Sequence, residues 1–162
     1  MDVTPSSVSA EHERLRENER VPEHINEVRT RLGDAFGVDV APVSPAQYRR
    51  EVDAVFTDGD RAVNVAALCG LLRSLDCHGD YPGFVVDEFL GRKLAATIAG
   101  GEPFALLAEA TFHVADIHTH GGADEAAGAD DLEAALAAGF QTRLPGWEWT
   151  EGESPFGMTG DG

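Results

Sequence analysis

The amino-acid sequence predicts an all-α protein: a compact helical bundle of about five to six helices, with a charged N-terminal helical arm and an extended C-terminal tail. Three observations support this fold class. Apolar residues recur at helical spacing, helix-start signals precede several of these runs, and glycine-rich turns follow them. No segment shows the sustained alternation of polar and β-branched residues that is typical of strands.

Residues 1–43 are predicted to form the arm and a linker. Within them, residues 1–8 are expected to be an unstructured lead. The charged stretch from Ser9 to Phe36 is expected to be helical, with an interruption near Pro22. Its second half carries an apolar stripe made by Val21, Ile25, Val28, Leu32 and Phe36. Such a stripe suits packing either on the bundle of the same chain or on another chain.

Residues 44–144 are predicted to form the bundle. Its first helix starts at a capping box, with Ser44 as the N-cap and Gln47 at the third helical position, and it ends near Phe56. Further helices are expected at roughly residues 61–76, 82–100, 103–121 and 130–140. In the 82–100 helix, the expected inner face consists of Val86, Phe89, Leu90, Leu94 and Ile98.

The charge balance is strongly acidic. The chain has 29 acidic and 12 basic residues, a formal net charge of −17, and a single lysine, Lys93. This composition resembles that of proteins from haloarchaea and similar salt-accumulating organisms, in which molar salt shortens the Debye length to about 3 Å and screens the repulsion between carboxylates. An acidic protein from a mesophile with a GC-rich genome is the alternative. Nucleic acid is not a predicted partner, because residues 94–142 contain no lysine or arginine.

Compartment and redox state follow from simple patterns. No apolar run reaches the roughly 20 residues of a membrane helix, and no signal peptide is apparent, so a cytoplasmic protein without a membrane association is expected. Cys69 and Cys77 would lie about 12 Å apart on one helix, too far for a disulfide. Cys69 is expected to be small core filler. Cys77 with His78 fits a loop better than a metal or redox site.

One ionisable stripe is the candidate for chemistry. Glu109, His113, Asp116 and His120, spaced 4, 3 and 4 residues apart, share a strip roughly 60° wide on the 103–121 helix. Imidazole and carboxylate groups are ligands for Zn, Fe or Mn. The four residues span about 16 Å, so one metal would need a further ligand from elsewhere, such as Asp87, Glu88 or His78.

The same stripe has a structural interpretation. It lies opposite Leu107, Thr111, Val114 and Ala115, where an amphipathic helix faces water or a second subunit. The flanking Leu106 and Phe112 make the polar strip narrow, which is typical of a helix at the centre of a bundle. His118 falls on the apolar face, where a buried histidine that bonds a backbone carbonyl is the expected role.

Residues 145–162 are predicted to be an acidic, aromatic tail. Trp147 and Trp149 would project to one side of an extended segment and could bind a protein partner, since tryptophan is enriched in interface hot spots. Alternatively, the two rings fold back and cover a gap in the chain's own core.

No nucleophile elbow, Walker loop or dinucleotide fingerprint is present. The leading hypothesis is therefore a non-enzymatic helical interaction or assembly module of a salt-adapted organism, with a protein partner or self-association. The alternative is a metal-binding helical protein or metalloenzyme that uses the stripe on the Glu102–His120 helix.

Overall fold

A computed structural model describes residues 2–75, 82–119 and 127–146. These residues form seven α-helices and no strand, which confirms the predicted all-α class with slightly more helices than expected. The helices are α1 (Pro5–Glu17), α2 (Arg20–Phe36), α3 (Pro45–Thr57), α4 (Gly59–Ser74), α5 (Val86–Ala99), α6 (Phe104–Thr119) and α7 (Ala127–Thr142).

Two helix starts follow from local sequence. Ser44 forms the predicted capping box with Gln47, whose backbone N–H donates to the Ser44 hydroxyl while its own side chain accepts from the Ser44 N–H. Thr4 and Ser7 form an equivalent box at α1, with Pro5 at the first helical position. The expected unstructured lead over residues 1–8 is therefore wrong from Pro5 onward, because this box caps a helix that begins at Pro5.

The charged N-terminal helices pack on the rest of the chain. Helix α1 contacts α3 and α4, and α2 contacts α6 and α7. Of the predicted apolar stripe on α2, all but the last residue are buried, and Phe36 is 50% exposed. The break between the two helices lies at Asn18 and Glu19, and Pro22 sits inside the first turn of α2, where a missing N–H costs nothing.

Helix α7 occupies the centre of the bundle and contacts five of the other helices, α2 to α6. Its alanines at positions 134, 135, 137 and 138 are fully buried, and these small side chains let neighbouring helices approach closely. At Gly139 a Cβ atom would lie only 3.0 Å from the Ala95 carbonyl oxygen and 2.9 Å from Cβ of Ile98. The central helix is therefore α7, and not α6 as its narrow polar strip suggested.

Helices α5, α6 and α7 form an up-down-up arrangement. Asp87 at the start of α5 and Asp116 near the end of α6 both contact Asp131 near the start of α7. At the opposite end, Arg143 donates to the Ile98 carbonyl oxygen at 3.2 Å. Consequently α5 and α7 run parallel to each other, with α6 antiparallel to both.

Buried polar groups connect helices that are distant along the chain. The Arg29 side chain is 1% exposed, and its guanidinium donates to the carbonyl oxygens of Ala41, Gln141 and Pro145. Glu11 is buried between α1 and α4, where it accepts from Arg73. Cys69 is buried in the core as predicted. Burial raises the pKa of its thiol, and the Glu11 carboxylate raises it further, so the thiol stays protonated.

Among the helices of the described ranges, none is both long enough and apolar enough to cross a membrane.

Candidate functional site

The predicted ionisable stripe does not stay together on one surface. His113 is exposed, Glu109 is half-buried, and Asp116 is buried at 9% exposure. His120 lies outside the described residues. Of the stripe expected to face water or a second subunit, His113 is exposed but Asp116 is not, because the Asp116 side chain lies on the edge of α6 that meets α5 and α7.

Asp116 belongs instead to a cluster of three buried carboxyl groups, which we call the carboxyl cluster: Asp87 of α5, Asp116 of α6 and Asp131 of α7. Burial raises the pKa of the Asp131 carboxyl to about 10, and the adjoining carboxyl groups of Asp87 and Asp116 act in the same direction, through hydrogen bonding to its protonated form and through their negative charge. Asp131 is therefore protonated at neutral pH and can donate a hydrogen bond within the cluster.

The carboxyl cluster relates to the metal hypothesis in two ways. Asp87 was a suggested extra ligand, and the structure does bring it to Asp116. However, no group of three or more histidine, cysteine, aspartate or glutamate side chains in the part of the chain that the structure describes is arranged to hold a metal ion. His78, His118 and Cys77 also fall where no side chain is described.

Exposed apolar side chains lie at the same end of the bundle as the carboxyl cluster. We define the end patch as Val85, Val86, Phe89 and Ile117. Their exposed fractions are 42%, 46%, 65% and 54%, in that order. Val86 adjoins Asp87 in sequence and Ile117 adjoins Asp116, and those aspartates both contact Asp131. The four apolar residues therefore share one end of the α5–α6 pair.

The predicted inner face of α5 is partly wrong. Leu94 and Ile98 are buried as expected, but Val86 and Phe89 are exposed. Gly91 explains the difference, since a Cβ atom there would lie 2.5 Å from the Phe112 ring of α6. The glycine lets α5 approach α6 along this side, which turns Val86 and Phe89 outward.

The outer face of α6 continues the apolar surface away from this end. Leu106 is 40% exposed, and Ala110, His113 and Ile117 follow it along the same helical face. On α5, Arg92 and Lys93 are exposed. Both lie about one helical turn after Phe89 along the chain. They are the only basic residues between positions 74 and 142. The end patch is thus apolar, with Glu88 and the two basic residues at its margin, on a chain of net charge −17.

A second apolar surface is a concavity between α1 and the α3–α4 pair, with a volume of about 550 Å³. It is lined mainly by apolar side chains, including Val8, Phe56 and Val63, together with His12. The His12 ring stacks on Phe56 with centroids 4.7 Å apart, and its Nε2 lies 2.7 Å from Asp53 Oδ1. Nothing in the sequence indicates a role for His12, but these contacts connect α1 to α3.

Sequence reasoning missed Asp131 and the end patch. Asp131 lies at the start of the predicted 130–140 helix, and nothing local reveals that α5 and α6 bring two more carboxyl groups to it. Trp147 and Trp149, the predicted partner-binding residues, lie outside the described residues.

Comparisons with known proteins identify the family of the chain. No curated protein and no solved structure matches the chain. One family model, "Domain of unknown function (DUF7984)", matches residues 1–160. Since the match covers almost the whole sequence, the chain belongs to the DUF7984 family.

Proposed function

We propose that the chain is a non-enzymatic helical interaction module that self-associates through the end patch, in the cytoplasm of a salt-adapted organism. The observation that supports this function best is the exposure of Phe89, the most exposed of the large hydrophobic residues described. Large apolar side chains that stay exposed at one end of a folded domain are typical of an interaction site.

The end patch is separate from the core that holds the bundle together. On the buried side of the same helix, Gly91, Leu94 and Ile98 already fill the contact with α6 and α7. Phe89 on the opposite side adds little to that packing at 65% exposure. Keeping a phenylalanine in water gives the monomer no stability, whereas burying it against a partner is worth about 1.5–3 kcal/mol.

Net charge determines the conditions of association. Two copies that each carry a formal charge of −17 repel each other in dilute buffer. Screening shortens the Debye length from about 10 Å at 0.1 M salt to about 3 Å at 1 M. We therefore expect association in molar KCl and dissociation in dilute buffer. The near-absence of lysine and the excess of acid support the salt-adapted setting.

Sedimentation velocity of the full chain in molar KCl tests the function. The wild-type chain should sediment faster than a monomer as its concentration rises, and Phe89→Ser should remain monomeric. Val63→Ser is the matched control, because Val63 is 45% exposed on the second apolar concavity. A monomeric wild-type chain, or a Phe89→Ser chain that associates like the wild type, would contradict the proposal.

A further inference from the structure

We infer that the end patch of one copy binds the C-terminal segment of a second copy, residues 145–162, with Trp147 and Trp149 as the anchoring side chains. This inference rests on the proposed function and names the partner of the same surface.

The segment and the end patch are complementary in chemistry. Residues 145–162 contain three aromatic residues and no lysine or arginine. Their four acidic residues are Glu148, Glu151, Glu153 and Asp161. The end patch offers exposed apolar side chains beside Arg92 and Lys93. Within the described ranges, neither basic side chain forms an ion pair, so both are available to the acidic residues of the segment, of which Glu148 lies between the tryptophans.

The chain enters this segment away from the end patch of its own copy. Asp131 lies at the level of the end patch, and the eleven residues from Asp131 to Thr142 rise roughly 16 Å along α7. Phe89 also faces away from the core on the far side of α5, which adds about one helix diameter, some 10 Å.

The start of the segment is fixed on another side of the bundle. Gly146 packs against Arg29 of α2, where a Cβ atom would lie 2.6 Å from the guanidinium. From there, a fully extended chain reaches at most about 10 Å to Trp149. We therefore place the end patch that the tryptophans bind on another copy. Phe156, ten residues along, could span about 35 Å and is the internal control for binding within one chain.

A contact of this kind joins two different surfaces, so each copy carries one donor segment and one acceptor patch. Heterologous contacts produce rings when the rotation closes and open chains of copies when it does not. The size of the assembly should therefore grow with concentration beyond a dimer, unless a ring closes.

Complementation between two variants tests the inference. Trp147→Ser/Trp149→Ser removes the donor and keeps the patch, and Phe89→Ser removes the patch and keeps the donor. In molar KCl, each variant alone should sediment as a monomer, and their equimolar mixture should form a one-to-one dimer. Phe156→Ser should assemble like the wild type, and Arg92→Glu/Lys93→Glu should weaken assembly at least tenfold. Circular dichroism checks that each variant keeps its helical content.

The outcomes separate the inference from the proposed function. If Phe89→Ser dissociates the assembly and the tryptophan variant does not, the end patch binds a second copy through another surface, and only the inference is overturned. If Phe156→Ser dissociates it and the tryptophan variant does not, a more distant part of the segment binds, and the inference is also overturned. If Phe89→Ser and the tryptophan variant both leave assembly unchanged, the proposed function and the inference both fail.

Discussion

The carboxyl group of Asp131 on α7 lies against that of Asp116 on α6, in a contact where neither residue is more than 9% exposed. Two buried carboxyl groups can lie side by side without strong repulsion only if one of them keeps its proton. The bundle thus holds a proton between its helices at a pH where an unfolded aspartate would have released it.

The first prediction concerns pH. Because the folded state raises the pKa of Asp131 from 3.8 to about 10, its contribution to stability is present below about pH 4 and is lost as the pH rises toward 10. The free energy of unfolding should fall by up to about 1.4 kcal/mol per pH unit in this range. Asp131→Asn should flatten the dependence and raise stability above pH 7, as measured by urea unfolding at pH 5, 7 and 9 in constant molar KCl.

Asp34→Asn is the matched control for this prediction, because it removes one negative charge at an exposed position of α2. It should leave the pH dependence as in the wild type. An Asp131→Asn chain with the wild-type slope between pH 5 and 9 would show that Asp131 does not hold the proton.

The second prediction concerns Arg29. Its guanidinium donates to three backbone carbonyl oxygens from two segments, those of Ala41, Gln141 and Pro145. Burial lowers the pKa of Arg29 to about 10, which still leaves it charged at neutral pH. Arg29→Ala removes these bonds and leaves buried acceptors without partners, so we expect a loss of about 3 kcal/mol or more in unfolding free energy.

Arg31→Ala on the exposed side of the same helix is the control and should change the unfolding free energy by less than about 0.5 kcal/mol. Equal effects of the two substitutions would mean that Arg29 contributes only helix propensity and charge.

The third prediction concerns the contact between α5 and α7. A methyl group at position 139 would meet the backbone of Ala95 and the Cβ atom of Ile98, neither of which can rotate away. Gly139→Ala should therefore destabilise the protein by about 1–3 kcal/mol despite the better helix propensity of alanine. Thermal unfolding measures the change. Gly59→Ala, where a Cβ atom meets nothing within 4 Å, should be neutral or slightly stabilising.

The fold was predictable where its determinants are local. The capping box at Ser44 and the apolar stripe on α2 were correct because cap chemistry and helical periodicity depend only on nearby residues. The missed start of α1 at Pro5 was also local, since Thr4 and Ser7 form a capping box without a glutamate or glutamine.

The site depends on tertiary packing, which a single sequence does not determine. Apolar spacing placed Phe89 inside, but the close approach at Gly91 selects a different face of α5. Similarly, helical spacing predicts that Asp116 shares a surface with His113, one turn away. The structure instead pairs it with Asp131, fifteen residues later and on another helix.

The central position of α7 also determines when the fold can be completed during synthesis. Five helices pack on it, and all of them precede it along the chain. While a ribosome is still translating the residues of α7, the earlier helices have no common element to pack against, and their apolar faces remain open to chaperones and to neighbouring nascent chains. Nascent chains stalled before α7 should therefore remain sensitive to protease, and resistance should appear abruptly once α7 has left the exit tunnel.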